Sequence, residues 1–185
     1  MKDKKILHAP IIAEELEALN AGDIVYLSGV IYTGRDAAHK RLVQLLKENK
    51  PLPINVKDQV IFYVGPCPAK PGQVIGSCGP TSSYRMDAYA PTLLDLGLKV
   101  MIGKGPRAQS VVDSIIKNKA AYLAGVGGAG ALTSACVKKA ELVDFEDLGT
   151  EAIYRLEVEE FPLIVAIDTK GNNLYEIGPK KYAQI

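Results

Sequence analysis

Cysteine is scarce in this 185-residue chain: Cys67, Cys78 and Cys136 are an odd number at wide intervals, without a CxxC pair. That spacing argues against a zinc site or a thioredoxin-like motif and reads as reduced intracellular thiols, small side chains in a packed interior. Three cysteines can also hold a cubane cluster with one open iron, a use that wide spacing leaves open. Neither sign of charge is in excess. The 22 Lys and Arg against 21 Asp and Glu give a net charge of +1, too little to gather nucleic acid or an anionic membrane, so charge must act locally. No apolar run approaches the ~20 residues of a membrane span. The stretch MKDKKILHAPIIAEELEAL sets acids directly after a short apolar run, unlike a signal or transit peptide, and a soluble cytoplasmic protein is expected. Repeats, low-complexity tracts and linkers are missing too, and with 48% apolar residues the length suits one compact domain over 1–185.

What is present reads as alternating elements. IVYLSGVIY at 24–32 is β-branched and aromatic, a buried strand running into the tight loop Thr33-Gly34. A helix follows, opened or capped by Asp36, with Ala38, Leu42, Leu45 and Leu46 on one face and Asn49-Lys50-Pro51 as its stop. VIFYV at 60–64 is a second strand; the prolines of GPCPAKPG then rule out regular structure, and Gln73 to Ser77 is a candidate short strand. A helical stretch through Leu93, Leu94 and Leu96 stops at Gly97, with Pro91 in its first turn or at a kink. Leu98 to Ile102 is a strand, Pro106 marks a helix start, and Ala108, Val111, Val112, Ile115 and Ile116 form an amphipathic stripe. Ala120 to Ala124 enters a glycine-rich loop, 137–143 and 162–168 are strands, and Lys170-Gly171-Asn172-Asn173 predicts a hairpin turn before a short final strand. Alternation in the middle and strands at the end predict an α/β layered domain with a mixed sheet.

Three segments set a cation beside glycine or hydroxyl residues where a strand yields to a helix: Gly34-Arg35-Asp36, Gly79-Pro80-Thr81-Ser82-Ser83-Tyr84-Arg85 and Gly103-Lys104-Gly105. Ligands of α/β sheets collect beyond the carboxyl ends of strands, where unpaired helix N–H groups already favour anions. Two arginines and a lysine converging there can bind two carboxylates, Arg through a planar fork and Lys as a point charge. Taken singly, each segment is also what a surface charge beside a turn looks like. Thr81, Ser82 and Ser83 also read as helix N-caps, and for Thr81 capping and catalysis stand level on the residues alone. His39 reads as a satisfied helix histidine, and His8 falls in a terminus expected to be flexible.

A rival motif is Gly125-Val126-Gly127-Gly128-Ala129-Gly130, which matches G-x-G-x-x-G after a strand. Asp144 and Glu146 fall roughly where a ribose-binding acid is wanted. The loop nonetheless comes late in the chain, and Lys138-Lys139 leaves a short helix, so close backbone packing is the preferred reading.

GDIVYLSGVIYTGRDAAHKR, GSCGPTSSYRMDAYAP and MIGKGPR, in this order, resemble the beta subunit or C-terminal domain of class I fumarate hydratases and the related L-tartrate dehydratases, from about Gly22 to Asp168. The resemblance implies a swivelling β/β/α domain that closes over a [4Fe-4S] cluster held by three cysteines of a separate alpha subunit and not by this chain. It implies a hetero-oligomeric hydro-lyase that hydrates fumarate to malate. Carried over by motif position, Arg35, Arg85 and Lys104 hold the substrate carboxylates, Ser82 orients the substrate and Thr81 transfers the proton. A hydroxyl needs activation by a neighbour; the resemblance points to a carboxylate of the partner, with Asp36 and Asp87 as local candidates. Asp36 reads more simply as a helix cap and Asp87 as an ion-pair partner within its motif. Ser82 and Tyr84 stand where many relatives carry Thr and Gly, so Tyr84 adds bulk beside the site. Fumarate, tartrate and a methylated dicarboxylate present the same two carboxylates, and pocket shape decides among them. A non-catalytic module that binds a dicarboxylate through the same cations is the alternative.

Overall fold

The computed structural model describes residues 4–183. In chain order the elements are β1 (Lys5–Ala9), α1 (Ala13–Glu17), β2 (Ile24–Thr33), α2 (Asp36–Lys47), β3 (Val60–Phe62), a 3-10 turn at Ser83–Met86, α3 (Ala90–Asp95) and β4 (Val100–Gly103). They continue with α4 (Gln109–Asn118), β5 (Ala121–Ala124), α5 (Gly130–Cys136), β6 (Val137–Asp144), a 3-10 segment at Glu146–Glu151, β7 (Ile153–Ile167) and α6 (Leu174–Tyr182). The seven strands form one mixed sheet in the order β1-β2-β3-β4-β5-β7-β6. Strands β1 to β5 run parallel, joined by right-sized helical crossovers, while β7 is antiparallel to β5, β6 and β2. Because β7 pairs with β2 as well as with β5, strands β2, β3, β4, β5 and β7 close into a ring.

Period-two alternation sorts the side chains of that ring. Val60 and Phe62, Val100 and Ile102, and Ala121 and Leu123 join Val25, Leu27, Leu163 and Val165 in the inner core. Their neighbours Ile61, Met101 and Tyr122 belong to an outer cluster with Ala38 and Leu42 of α2, Leu93 and Leu94 of α3, and Val111 and Ile115 of α4. Two β walls around one core and a helical layer outside make the α/β layered domain that was expected, in β/β/α order.

Several element readings need correction. His8 is not in a loose terminus: it lies in β1, opposite Ser28 of β2. Residues 73–77 form no strand; Ser77 O accepts from Cys67 N and Cys67 O from Gly76 N, a two-bond clasp too short to propagate. The helix after Pro106 starts only at Gln109, because Arg107 turns inward to Asp87. The strand at 162–168 begins nine residues earlier, at Ile153; it carries Pro162 opposite Tyr26, near a register shift that absorbs the irregularity. The short final strand is α6, whose N-cap Asn173 accepts from Tyr175 N at 3.1 Å and donates to Glu176 at 2.9 Å. Asn followed three residues later by Glu is a helix-start signature in the sequence.

Candidate active site

The parallel strands β2, β3 and β4 end side by side, and their carboxyl ends carry the site. Gly34 N donates to Phe62 O at 3.1 Å, which sets the Arg35 loop against the end of β3. Thr81 N donates to Tyr63 O at 2.7 Å, and Lys104 N to Thr81 O at 3.3 Å. Ser83 N completes the stitch by donating to Lys104 O at 2.9 Å. The segment from Thr81 to Ser83 thus lies between the ends of β3 and β4 as a short parallel bridge, and the loops carrying Arg35, Thr81, Ser82 and Lys104 sit at the ends of β2, β3 and β4, with Arg85 bonded to Asp36 next to Arg35.

Each arginine is held from behind by a carboxylate. Arg35 meets Glu151 at 3.2 Å, and the other oxygen of Glu151 accepts from Ala37 N at 3.1 Å in the first turn of α2. Gly65 leaves the room this needs, since a Cβ there would stand 2.7 Å from the Arg35 guanidinium. The Arg35 Nε is buried without a partner, a donor that still requires an acceptor. Arg85 pairs with Asp36 at 2.8 Å. Lys104 is exposed and makes no ion pair among the described residues. Asp36 therefore opens α2 without capping it, Arg35 being the N-cap.

The three hydroxyls part company: Ser82 is the N-cap residue of the 3-10 turn, and its side chain makes no capping hydrogen bond. Thr81 and Ser82 are half-buried, with side chains unbonded among the described residues, while Ser83 is buried and hydrogen-bonded to the Tyr122 hydroxyl at 2.8 Å. Asp87 pairs not within its own motif but with Arg107 at 2.6 Å, and its second oxygen accepts from Ala108 N at 2.7 Å. The sequence reading missed Arg107, whose buried guanidinium lies over the rings of Tyr63 and Tyr122. Burial pushes both phenols up, so each keeps its proton; Tyr122 donates its own to Gly105 O, while the Tyr63 hydroxyl is buried without a partner. Glu151, Tyr122 and Arg107 stand 116, 39 and 20 residues from Arg35, Ser83 and Asp87, to which they bond, and no local pattern marks them.

Two alternative sites fare differently. The glycine run at 125–130 packs closely: a Cβ on Gly125 would stand 3.3 Å from Pro80, and one on Gly130 would stand 2.4 Å from Ser77 Oγ. Glycine serves there for backbone approach, and α5 behind it spans seven residues. The cysteines of this chain do not fit a cluster. Cys78 is buried, donates to Gly76 O, and is pushed up to about 12 chiefly by burial, whereas Cys67 is exposed. Among the described residues no group of three His, Cys, Asp or Glu side chains could hold a metal ion.

The sequence is similar to known proteins over most of its length. Residues 2–178 match the family model of the fumarase C-terminus. The chain is 41% identical over 152 residues to the anaerobic class I fumarate hydratase of Escherichia coli strain K12, covering 81% of this chain and 28% of that protein. It is 37% identical over 169 residues to the mitochondrial fumarate hydratase 1 of Leishmania major, covering 90% and 31%. With the L(+)-tartrate dehydratase subunit beta of Escherichia coli strain K12 it shares 37% identity over 186 residues, covering 98% of this chain and 91% of that one. The chain thus spans less than a third of the fumarate hydratases it matches.

Proposed function

The chain belongs to the Fumarase C-terminus family, and from that premise we propose that it is the beta subunit of a two-subunit class I fumarate hydratase, catalysing reversible hydration of fumarate to malate. The observation that supports the reading is that the loops bearing Arg35, Thr81, Ser82 and Lys104 follow or bridge the carboxyl ends of the parallel strands β2, β3 and β4, with Arg85 tied to Asp36 at the start of α2. In the elimination direction a weakly acidic proton leaves the carbon next to a carboxylate while hydroxide departs from its neighbour. Arg35 and Arg85, each already aimed by its own carboxylate, take the substrate carboxylates with Lys104. Ser82 orients the substrate by hydrogen bonding, and the Thr81 hydroxyl receives the proton.

In this reading Thr81 is activated by a group of the partner subunit. The two local candidates are committed elsewhere, Asp36 to Arg85 and Asp87 to Arg107. A carboxylate of a partner subunit fits that need, and so does the open face of the site. Exposed Tyr84, Val74, Val126 and Leu132 lie on the loops and short helix around the same end of the sheet, apolar surface of the kind a partner covers. The iron-sulphur cluster that the family implies belongs to that alpha subunit in this reading, where it supplies a Lewis acid; this chain binds, orients and moves the proton.

The test is anaerobic co-expression with the cluster-bearing subunit and an ultraviolet assay of fumarate formed from malate, with this chain alone as control. Activity only in the complex is expected. Arg85→Ala and Lys104→Ala are expected to leave the complex intact and lower kcat/KM by about a hundredfold or more each, the cost of an unpaired clamped charge. Normal turnover by both variants sinks the reading. The extent of the match to the tartrate dehydratase beta subunit, 91% of its length, favours that enzyme as a second reading; a complex active on L-tartrate but silent on malate selects it. Tight dicarboxylate binding by the chain alone, with no complex formed, selects the binding module instead.

A further inference from the structure

Tyr122 sits on β5 with its side chain on the helix side of the ring, since its neighbours Ala121 and Leu123 face the inner core. Its hydroxyl has two partners on two different loops of the site. It donates to Gly105 O at 3.0 Å, and it lies 2.8 Å from Ser83 Oγ. A phenol has one proton and the Gly105 carbonyl can only accept, so the direction of the chain is settled: Ser83 Oγ–H donates to Tyr122, and Tyr122 O–H donates to Gly105. Gly105 N donates in turn to the Tyr175 hydroxyl at 2.9 Å, so both faces of the residue after Lys104 are pinned.

The surroundings leave this link little freedom. A Cβ on Gly103 would stand 2.0 Å from Ser83 Oγ, so Ser83 fills the space that the missing side chain leaves. The Arg107 guanidinium lies 5.0 Å from the Tyr122 ring centroid and is itself fixed by Asp87. Both Tyr122 and Ser83 are fully buried, and a buried hydroxyl pair in a dry setting holds its geometry more firmly than the same pair in water.

Resting on the reading of this site as a hydro-lyase half-site, we infer that Tyr122 is a positioning residue, bracing through Ser83 and Gly105 the backbone bonds that join the Thr81 loop to the Lys104 loop. The two loops depend on it unequally. Lys104 reaches substrate through four side-chain torsions and absorbs a small backbone shift. The Thr81 hydroxyl is one torsion from the backbone and cannot. Arg35 and Arg85 have tethers of their own, Glu151 and Asp36, that Tyr122 does not touch.

The experiment is the assembled, cluster-loaded complex carrying Tyr122→Phe, which removes one oxygen from a buried ring. With malate, or with L-tartrate if that is the substrate turned over, kcat is expected to fall at least tenfold while KM stays within about threefold, because misplacement of a reacting group costs rate before it costs binding. Ser83→Ala should show the same split, and the double variant should be no slower than the slower single one, since both cut one link. Unchanged kcat in Tyr122→Phe overturns the inference, as does a rise in KM equal to the fall in kcat or a purely additive double variant. A wild-type complex silent on malate, fumarate and tartrate alike overturns the half-site reading and this inference with it; wild-type turnover with a normal Tyr122→Phe variant overturns this inference alone.

Discussion

His39 shows what burial does to one residue. Its Nδ1 donates to Arg35 O at 2.8 Å within the first turn of α2, its ring meets Tyr63 edge-on, and its Nε2 is buried without a partner. Burial lowers its pKa to about 4, with the nearby Arg107 charge adding to the effect and the Arg35 carbonyl opposing it. The folded state therefore holds its proton less tightly than the unfolded chain, for which about 6.5 applies. Stability from this residue is complete above pH 6.5 and is lost as pH falls from 6.5 towards 4, by up to about 3 kcal/mol. Urea unfolding of wild type and His39→Gln across that window should show the wild type losing that much more than the variant; parallel curves would refute it. The sequence reading of a satisfied helix histidine was half right, since one ring nitrogen is bonded and the other is not. Arg35, Thr81, Arg85 and Lys104 were legible because a cation or hydroxyl beside glycine at a strand end is a local pattern. The separate fate of Ser83 was not, because three adjacent hydroxyls look alike until a distant tyrosine selects one.

At the scale of elements, local patterning located β2, α2, β3, α3, β4, α4 and β5, each within about three residues at either end. Their amphipathic or β-branched runs are strong, and all but α4 stop at or near Gly or Pro. Two misses share a cause: β1 and the long β7 are fixed by pairing with strands elsewhere in the chain, whereas the clasp at 67–77 is local and too short to propagate. The end of β4 offers a test of how tightly elements meet at the site. Gly103→Ala would bring a methyl group to 2.0 Å from Ser83 Oγ and 3.0 Å from the Tyr63 ring. Both neighbours are buried and constrained, so relief must come from movement of the Thr81 loop. Thermal or urea unfolding should show a loss of about 1–3 kcal/mol, the usual cost of overpacking, and an unchanged stability would mean that the Ser83 loop yields freely.

For the whole molecule, the ring of strands decides where the site lies. Its parallel members deliver their carboxyl ends to one rim, and the antiparallel β7 closes the far side. That rim also carries exposed Val126 and Leu132, so on the proposed two-subunit reading Leu132→Asp should block assembly with the alpha subunit without unfolding the chain. Size-exclusion chromatography of the co-expressed pair, with circular dichroism of the variant alone, checks it; normal assembly would place the partner elsewhere. By itself the sequence determined the fold class, most of the helices and parallel strands, and the residues that resemble a carboxylate clamp, since these are written in periodicity and in short strand-end motifs. Only the tertiary structure decided that the sheet closes, that Glu151 and Asp36 aim the arginines, and that Tyr122 and Arg107 brace the loops. Those contacts join residues 17 to 140 positions apart, with partners set by packing of the whole chain.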